Sequence, residues 1–310
     1  MVDYTIVVPV YCNDDTLEDL ISQINSKVFQ NNKDLKGQVV FCEDGSIDRS
    51  FKKLKQIKEV WANVKIIKLT RNFGQIPAIL SGLQNIDSKT YIVMSADLQD
   101  PVSLINEFLY NHFQKNYHII CGIRSKREDS IFDKFFATIF YKFLSYLCFP
   151  NYPKGGFDYF LISKKVRDVV IEMNQSEPFL QGEILFAGYK TKELEYIRKK
   201  RPRGTSKQTF SKKITYFLNG IMGYSFFPIR LMSFLGLFSF IIAIFLSVGI
   251  IILKYFSYGT FPLGWASSII LIFLMNGIQM IFLGIIGEYI WRTLSQVRNK
   301  PKYFIEEIID

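Results

Sequence analysis

Short, uninterrupted apolar runs, each ending in a polar cluster, recur through the first part of the chain. Thr5-Ile-Val-Val-Pro-Val-Tyr11, Gln38-Val-Val-Phe-Cys42, Val64 to Leu69, Tyr91 to Met94 and His118 to Cys121 have the length and β-branched content of strands buried on both faces. Between them the spacing turns helical: Thr16 to Val28 behind the start signal Asn13 to Asp15, a charged stretch after Ser46, Pro77 to Leu83, and a helix beginning near Val102. Strands alternating with such helices predict an α/β domain whose mainly parallel sheet has helices on both faces. The polar clusters then fall at strand C-terminal ends, where open α/β sheets hold their ligands.

Beyond Arg124 the pattern changes. Ile131 to Phe149 carries Phe, Tyr and Leu on one face, as an interfacial or a buried amphipathic helix would. Gly155-Gly-Phe-Asp-Tyr-Phe-Leu-Ile162 reads as a glycine turn feeding a strand, and Pro178 to Gly188 as a helix facing the site. Lys190 to Lys213 is a basic segment, and Phe210 to Phe227 an aromatic helix. Leu231 to Leu253 and Trp265 to Gly287 contain no charge. Each is roughly 23 residues, enough to cross a hydrocarbon core. The expected organisation is a cytoplasmic catalytic domain over 1–208, a juxtamembrane amphipathic helix over 209–230, a transmembrane hairpin over 231–290 (231–253 and 265–287), and a tail over 291–310 with no legible chemistry.

Charge fixes the orientation. The chain of 310 residues has a net charge of +10, and its basic residues crowd the two apolar runs. Arg198, Lys199, Lys200, Arg201, Arg203, Lys207, Lys212 and Lys213 precede the first; Arg292, Arg298, Lys300 and Lys302 follow the second, and the loop between offers only Lys254. This distribution predicts a multi-pass membrane protein with both termini in the cytoplasm, and richness in Lys, Asn, Ile and Phe suggests an AT-rich bacterial genome, hence a bacterial cytoplasmic membrane. The charge distribution fits an anionic bilayer face and phosphate-bearing substrates better than nucleic acid. Asp3 and a β-rich run follow Met1 directly, without a signal-peptide pattern. Four scattered cysteines without a C-x-x-C pair speak for a reducing cytosol and against a zinc site. Gly236, Gly249, Gly277, Gly284 and Gly287 would permit close packing of the membrane helices, which is compatible with a homo-oligomer.

The candidate chemistry centres on Ser95-Ala-Asp-Leu-Gln-Asp-Pro101. In extended backbone, Asp97 and Gln99 alternate around Leu98 and point the same way, which suits two oxygen ligands on one divalent cation. A plain turn before a helix is the competing interpretation. No G-x-G-x-x-G or P-loop occurs, which disfavours a dinucleotide or a Walker-type phosphate cradle.

Six motifs in order decide between these. Val7-Val-Pro-Val-Tyr11, Glu43-Asp-Gly-Ser46, Arg71-Asn-Phe-Gly74, Ser95 to Pro101, Gly122-Ile-Arg124 and Arg201-Pro-Arg-Gly-Thr-Ser-Lys207, followed by the hairpin, resemble the family 2 glycosyltransferases of GT-A fold. The subgroup they resemble is the polyprenyl-phosphate glycosyltransferases, both dolichol-phosphate mannose synthase-like and the bacterial enzymes that glucosylate undecaprenyl phosphate. The resemblance implies an inverting transfer of one sugar from a nucleotide-sugar to a lipid monophosphate, with Mg2+ or Mn2+ as cofactor.

It also implies roles. Pro9 and Tyr11 would line the base pocket, Asp44 would contact base or ribose, and Asn13, Glu43, Ser95 and Ala96 would complete the nucleotide-sugar site. Asp97 and Gln99 would hold the metal, and Arg201 with Lys207 would close over the diphosphate. Arg124, with Arg127 beside it, would bind the lipid phosphate, and Asp158 would lie near the reaction centre. Four positions depart from the family pattern: Ser95 and Glu43 stand where aspartates are usual, Asn13 for a common glutamate and Gln181 for a common arginine. Loss of the carboxylate at Ser95 should weaken cation affinity. The competing functions are a processive polysaccharide synthase, disfavoured by the missing Q-x-x-R-W, and a non-catalytic nucleotide-sugar-binding scaffold.

Overall fold

The computed structural model describes residues 2–125, 142, 145–146, 148–149, 152–153, 156–176, 178–198, 220–256 and 264–310. It divides into two units, Met1–Asn219 with Lys300–Asp310, and Gly220–Asn299.

The first unit is built on β1 (Val2–Val10), which is apolar on both faces because both are covered. Tyr4, Ile6, Val8 and Val10 enter one core with α1 (Leu17–Ile24), α2 (Ser50–Val60) and α4 (Leu104–Lys115). Val7 enters the other, with α3 (Gln75–Asn85), α5 (Lys164–Met173) and α6 (Leu180–Phe186). Alternate residues of one strand thus serve two helical layers, as the uninterrupted apolar runs predict. The remaining strands are β2 (Gly37–Glu43), β3 (Val64–Leu69), β4 (Ser88–Val93), β5 (Ile119–Arg124), β6 (Tyr159–Ser163), β7 (Thr191–Tyr196) and β8 (Ile305–Ile309).

The sheet order is β7-β5-β6-β4-β1-β2-β3-β8. Its β1/β2, β1/β4, β2/β3 and β5/β7 pairs are parallel, whereas β6 runs antiparallel between β4 and β5, and β8 antiparallel to β3. The inserted β6 has a consequence for the site. The start of β6 lies at the same sheet edge as the ends of β4 and β5, so residues just before Tyr159 join those following Val93 and Arg124.

Two strands lie where the sequence pattern indicated none. Within the basic segment, β7 exposes most of its residues and buries only Tyr196, so it carries no core periodicity. The C-terminal segment, expected as a short tail with no legible chemistry, forms β8, with Ile305 opposite Leu69 and Ile309 opposite Ile66. Ion pairs Lys68–Glu306 at 2.8 Å and Lys55–Glu307 at 3.5 Å flank it.

In the second unit, α7 (Phe227–Phe256) and α8 (Gly264–Arg298) contain the two uncharged runs. Among the described residues, which leave out many side chains of both helices, no helix is long and apolar enough to cross a membrane. Most of the amphipathic segment Ile131 to Phe149 and of the aromatic segment Phe210 to Phe227 lies outside the described residues.

Candidate functional site

The loops at the C-terminal edge of the sheet are stitched together by side chains that the sequence singled out. Asn13 Oδ1 accepts from the Tyr11 N–H at 3.1 Å, and the Asn13 N–H donates to Ser50 Oγ at 2.9 Å. Cys12, in the left-handed region at φ 52°, donates its N–H to Ser46 Oγ at 3.0 Å. Glu43 accepts from the Ser46 N–H through a short hydrogen bond. Thr16 donates to the Ala96 carbonyl at 2.7 Å, which ties the loop after β1 to the end of β4. Pro9 pairs with Cys42 within β1/β2, and Pro9, Tyr11, Asn13 and Ser95 keep partial exposure at this rim.

Asp44 is buried, and both of its oxygens are engaged by backbone. Oδ1 accepts from the Phe73 N–H at 2.7 Å and Oδ2 from the Gly74 N–H at 2.9 Å. Desolvation pushes its pKa up to about 6 against these two hydrogen bonds, with Glu43 adding to the rise and Arg71 opposing it. In this state Asp44 therefore organises the Arg71-Asn-Phe-Gly74 loop. Gly45, at φ +63°, lies directly under that loop: a Cβ there would stand 2.5 Å from the Arg71 carbonyl carbon and 2.6 Å from the Asn72 nitrogen.

The backbone around Asp97 corrects the extended arrangement expected from its spacing. Leu98 has φ 57°, and the Gln99 N–H donates to Asp97 Oδ1 at 3.2 Å, so a tight turn brings Asp97 and Gln99 together. Short polar side chains close such turns onto the backbone two residues on. The turn leaves Asp97 only 8% exposed at the sheet edge.

A second group surrounds the end of β5. Arg124 Nη2 donates to Asp158 Oδ2 at 2.9 Å, and Gln181 Nε2 donates to the other Asp158 oxygen at 3.0 Å and to the Phe157 carbonyl at 2.6 Å. Tyr152 donates to Gln181 Oε1, so the glutamine has a defined orientation. Burial opposes the Arg124 charge, yet Asp158, Tyr196 and Asp100 together raise its pKa and keep it protonated. Asp100 has a fully buried side chain and accepts from Tyr196 Oη at 2.6 Å; desolvation raises its pKa despite Tyr196, Arg124 and Arg198. Arg198 lies 3.7 Å from Asp97 Oδ2 and 3.9 Å from Asp100 Oδ1, joining the two groups.

The sequence-predicted residues thus converge in part. Asn13, Glu43, Asp44 and Ala96 share one hydrogen-bonded rim, and Asp97, Arg124 and Asp158 gather around the β4, β5 and β6 ends. Arg127, Arg201 and Lys207 lie outside the described residues. Asp100, Tyr196 and Arg198 went unassigned in the sequence. Asp100 looked like part of a turn, Tyr196 belonged to a strand without periodicity, and Arg198 was one charge among many. Gln181 stood out only as a departure, with no sign that it grips Asp158.

Residues 5–170 match the family model described as glycosyl transferase family 2. The uncharacterized glycosyltransferase YkcC of Bacillus subtilis (strain 168) is 31% identical over 307 residues, covering 99% of this chain and 94% of that protein. The SfII prophage-derived bactoprenol glucosyl transferase of Shigella flexneri is 30% identical over 304 residues, covering 98% and 97%. A solved structure of glucosyl-3-phosphoglycerate synthase from Mycobacterium tuberculosis, in complex with Mn2+, UDP-glucose and phosphoglyceric acid, aligns with a TM-score of 0.50 at 13% identity, covering 71% of this chain and 77% of that one. That likeness concerns the fold alone.

Proposed function

Because this chain belongs to glycosyl transferase family 2, we propose that it transfers one hexose or N-acetylhexosamine from a UDP-sugar to undecaprenyl phosphate. The observation that carries this reading is the Arg124–Asp158 pair, held by Gln181 at the same sheet edge as Asp97. It is a preorganised cation for an acceptor phosphate beside the place for a donor diphosphate. Full-length likeness to a bactoprenol glucosyl transferase supports the lipid acceptor.

The chemistry needs little proton transfer. A phosphate monoester has its second pKa near 6, so the lipid phosphate is mostly a dianion at neutral pH and already nucleophilic. One of its oxygens attacks the anomeric carbon as the bond from that carbon to the donor diphosphate breaks. The nucleoside diphosphate leaves on the opposite face, and the configuration inverts. Arg124 holds the attacking phosphate in line, which replaces diffusion and solvent reorganisation by positioning. Asp158, both of whose oxygens accept hydrogen bonds, orients Arg124 and a sugar hydroxyl and does not serve as a base.

The donor set suits a hard divalent cation, Mg2+ or Mn2+: Asp97 supplies a carboxylate and Gln99 a carboxamide oxygen, and the edge already draws the Arg198 guanidinium to 3.7 Å from Asp97. When bound, the ion neutralises charge developing on the leaving diphosphate. Arg201 and Lys207 would cover that diphosphate, and Arg127 would assist Arg124. Pro9, Tyr11 and Asn13 would receive the base.

The bilayer belongs to this reading as well. The uncharged runs lie within helices of 30 and 35 residues, and the chain on both sides of the helix pair belongs to one sheet-bearing unit. Two spans satisfy that connectivity, with the sheet and both termini on the cytoplasmic side. Between α7 and α8 an apolar groove of about 630 Å³, lined by Met232, Ile286, Tyr289 and Leu294 among others, offers room for part of a prenyl chain. Among the described residues, Gly277, Gly284 and Gly287 have nothing within 4 Å of where a Cβ would stand, which leaves space for a second copy.

The test uses detergent-purified protein with undecaprenyl phosphate, a panel of UDP- and GDP-sugars, and Mg2+, Mn2+ or EDTA, with lipid products followed by mass. One sugar on the lipid, lost with EDTA, is the expected result. Donor binding without product for any donor would replace the transferase by the scaffold.

A further inference from the structure

The Arg71-Asn-Phe-Gly74 motif has no chemical role in the mechanism above, yet it is gripped from two sides. From β2, Asp44 accepts the Phe73 and Gly74 N–H groups. From the other side comes the segment following α8. The Thr70 N–H donates to the Phe304 carbonyl at 3.0 Å, and the Phe304 ring packs on Phe73 with centroids 6.1 Å apart at 52°. Arg71 meets the same ring, its guanidinium 4.1 Å from the Phe73 ring centroid. Tyr303 extends the contact to α3 by donating to Gln84 and accepting from Asn85. The strand pairing of Ile305 with Leu69 and the Lys68–Glu306 ion pair fix the register in which Phe304 meets Phe73.

We infer that the segment Tyr303 to Ile309 is part of the donor site: it is the outer clamp that holds the Arg71 to Gly74 loop against Asp44. This rests on the reading of that rim as the nucleotide-sugar site. Phe304 is a positioning residue, acting through Phe73. It is itself 55% exposed, so its place in the fold is not that of a core residue. Five residues separate Arg298, the end of α8, from Phe304. The residues that complete the donor rim therefore arrive only after the apolar helix pair, although their partners lie in β3, in α3 and in the loop between them.

The experiment compares the full-length parent, Phe304→Ala and Phe304→Tyr by hydrogen exchange and by titration with UDP-sugars. In Phe304→Ala the Phe73 and Gly74 amides should exchange faster, and the donor Kd should rise about three- to tenfold, the loss expected for one aromatic pair. kcat at saturating donor and the KM for undecaprenyl phosphate should stay unchanged, and Phe304→Tyr should restore the donor Kd. Unchanged amide exchange and donor affinity in a folded Phe304→Ala protein would overturn the inference. Should that variant not fold, Phe304→Leu replaces it, with the same two readouts deciding. A parent that binds no nucleotide-sugar would overturn the functional reading, whereas exchange at Phe73 and Gly74 still reports on the clamp.

Discussion

Replacing Gly45 by alanine should damage stability and donor binding together. Gly45 has φ +63°, which for an L-residue costs roughly 1–2 kcal/mol. The added Cβ would also meet backbone, at 2.5 Å from the Arg71 carbonyl carbon, 2.6 Å from the Asn72 nitrogen and 2.7 Å from Arg71 Cα. No rotamer change relieves such a contact, so the Arg71 to Gly74 loop must move, at a further ~1–3 kcal/mol by analogy with overpacked cores. The sum, about 2–5 kcal/mol, corresponds to a Tm lower by about 5–15 °C for a unit of this size.

Moving the loop also withdraws the Phe73 and Gly74 N–H groups from Asp44, so donor affinity should fall at temperatures where the variant is still folded. Gly188→Ala separates strain from collision. Gly188 has φ +70°, but its Cβ would meet only the Phe186 carbonyl oxygen at 3.9 Å, so its loss should be confined to roughly 1–2 kcal/mol. Thermal melts of the purified proteins with and without UDP-sugar supply both numbers. A Gly45→Ala protein that melts within about 2 °C of the parent and binds donor normally would refute the reasoning.

Three further outcomes follow from the site. Arg124→Ala should raise the KM for undecaprenyl phosphate about 30- to 100-fold, the loss of one charge-assisted hydrogen bond, and leave donor affinity intact; an unchanged acceptor dependence would remove Arg124 from phosphate binding. Asp97→Ala should abolish the Mn2+ binding that electron paramagnetic resonance detects in the presence of UDP-sugar, and transfer with it, while Tm changes little; retention of the bound-ion signal would place the metal elsewhere.

Asp44 gives a pH signature with two opposite signs. Its folded pKa, near 6, is above its ordinary value of 3.8, so its contribution to stability is present in full below about pH 3.8 and lost as pH rises through 6. Protonation puts a hydrogen on an oxygen that accepts from Phe73 or Gly74, so donor affinity should fall as pH drops through 6. Titration with a UDP-sugar between pH 5 and 8 should show that fall in the parent and not in Asp44→Asn; identical profiles would assign the effect to another group.

Much of the sheet and of its C-terminal rim was legible in the sequence, because its signals are local. Runs such as Thr5 to Tyr11 must be buried on both faces, so they define parallel strands, and the polar clusters behind them mark the ligand-binding edge. Gly45 and Ser46 announce a turn, and Leu231 to Leu253 announces a long apolar helix, without reference to any other part of the chain. The family motifs, read in order, single out Asn13, Asp44, Asp97, Arg124 and Asp158, which the structure brings to the C-terminal edge of the sheet.

What remained hidden depends on pairing between distant segments. The antiparallel insertion of β6 between β4 and β5 sets Asp158 beside Arg124, and nothing in Gly155 to Ile162 states its neighbours. The left-handed Leu98 replaces strand alternation by a turn, a choice made by the closure of Asp97 onto the Gln99 N–H. Asp100, Tyr196 and Arg198 form one network although Tyr196 lies in a strand with almost no buried residue.

The clearest case is β8. Its five residues alternate weakly, and only the open edge of β3 gives them a fold, with Lys68 and Glu306 meeting across a separation of 238 positions. Local patterns in the chain say which segments must be buried and which polar groups follow them, because burial and turn chemistry act within a few residues. Tertiary structure decided which of those groups meet, because strand order and direction are set by the packing of the whole sheet.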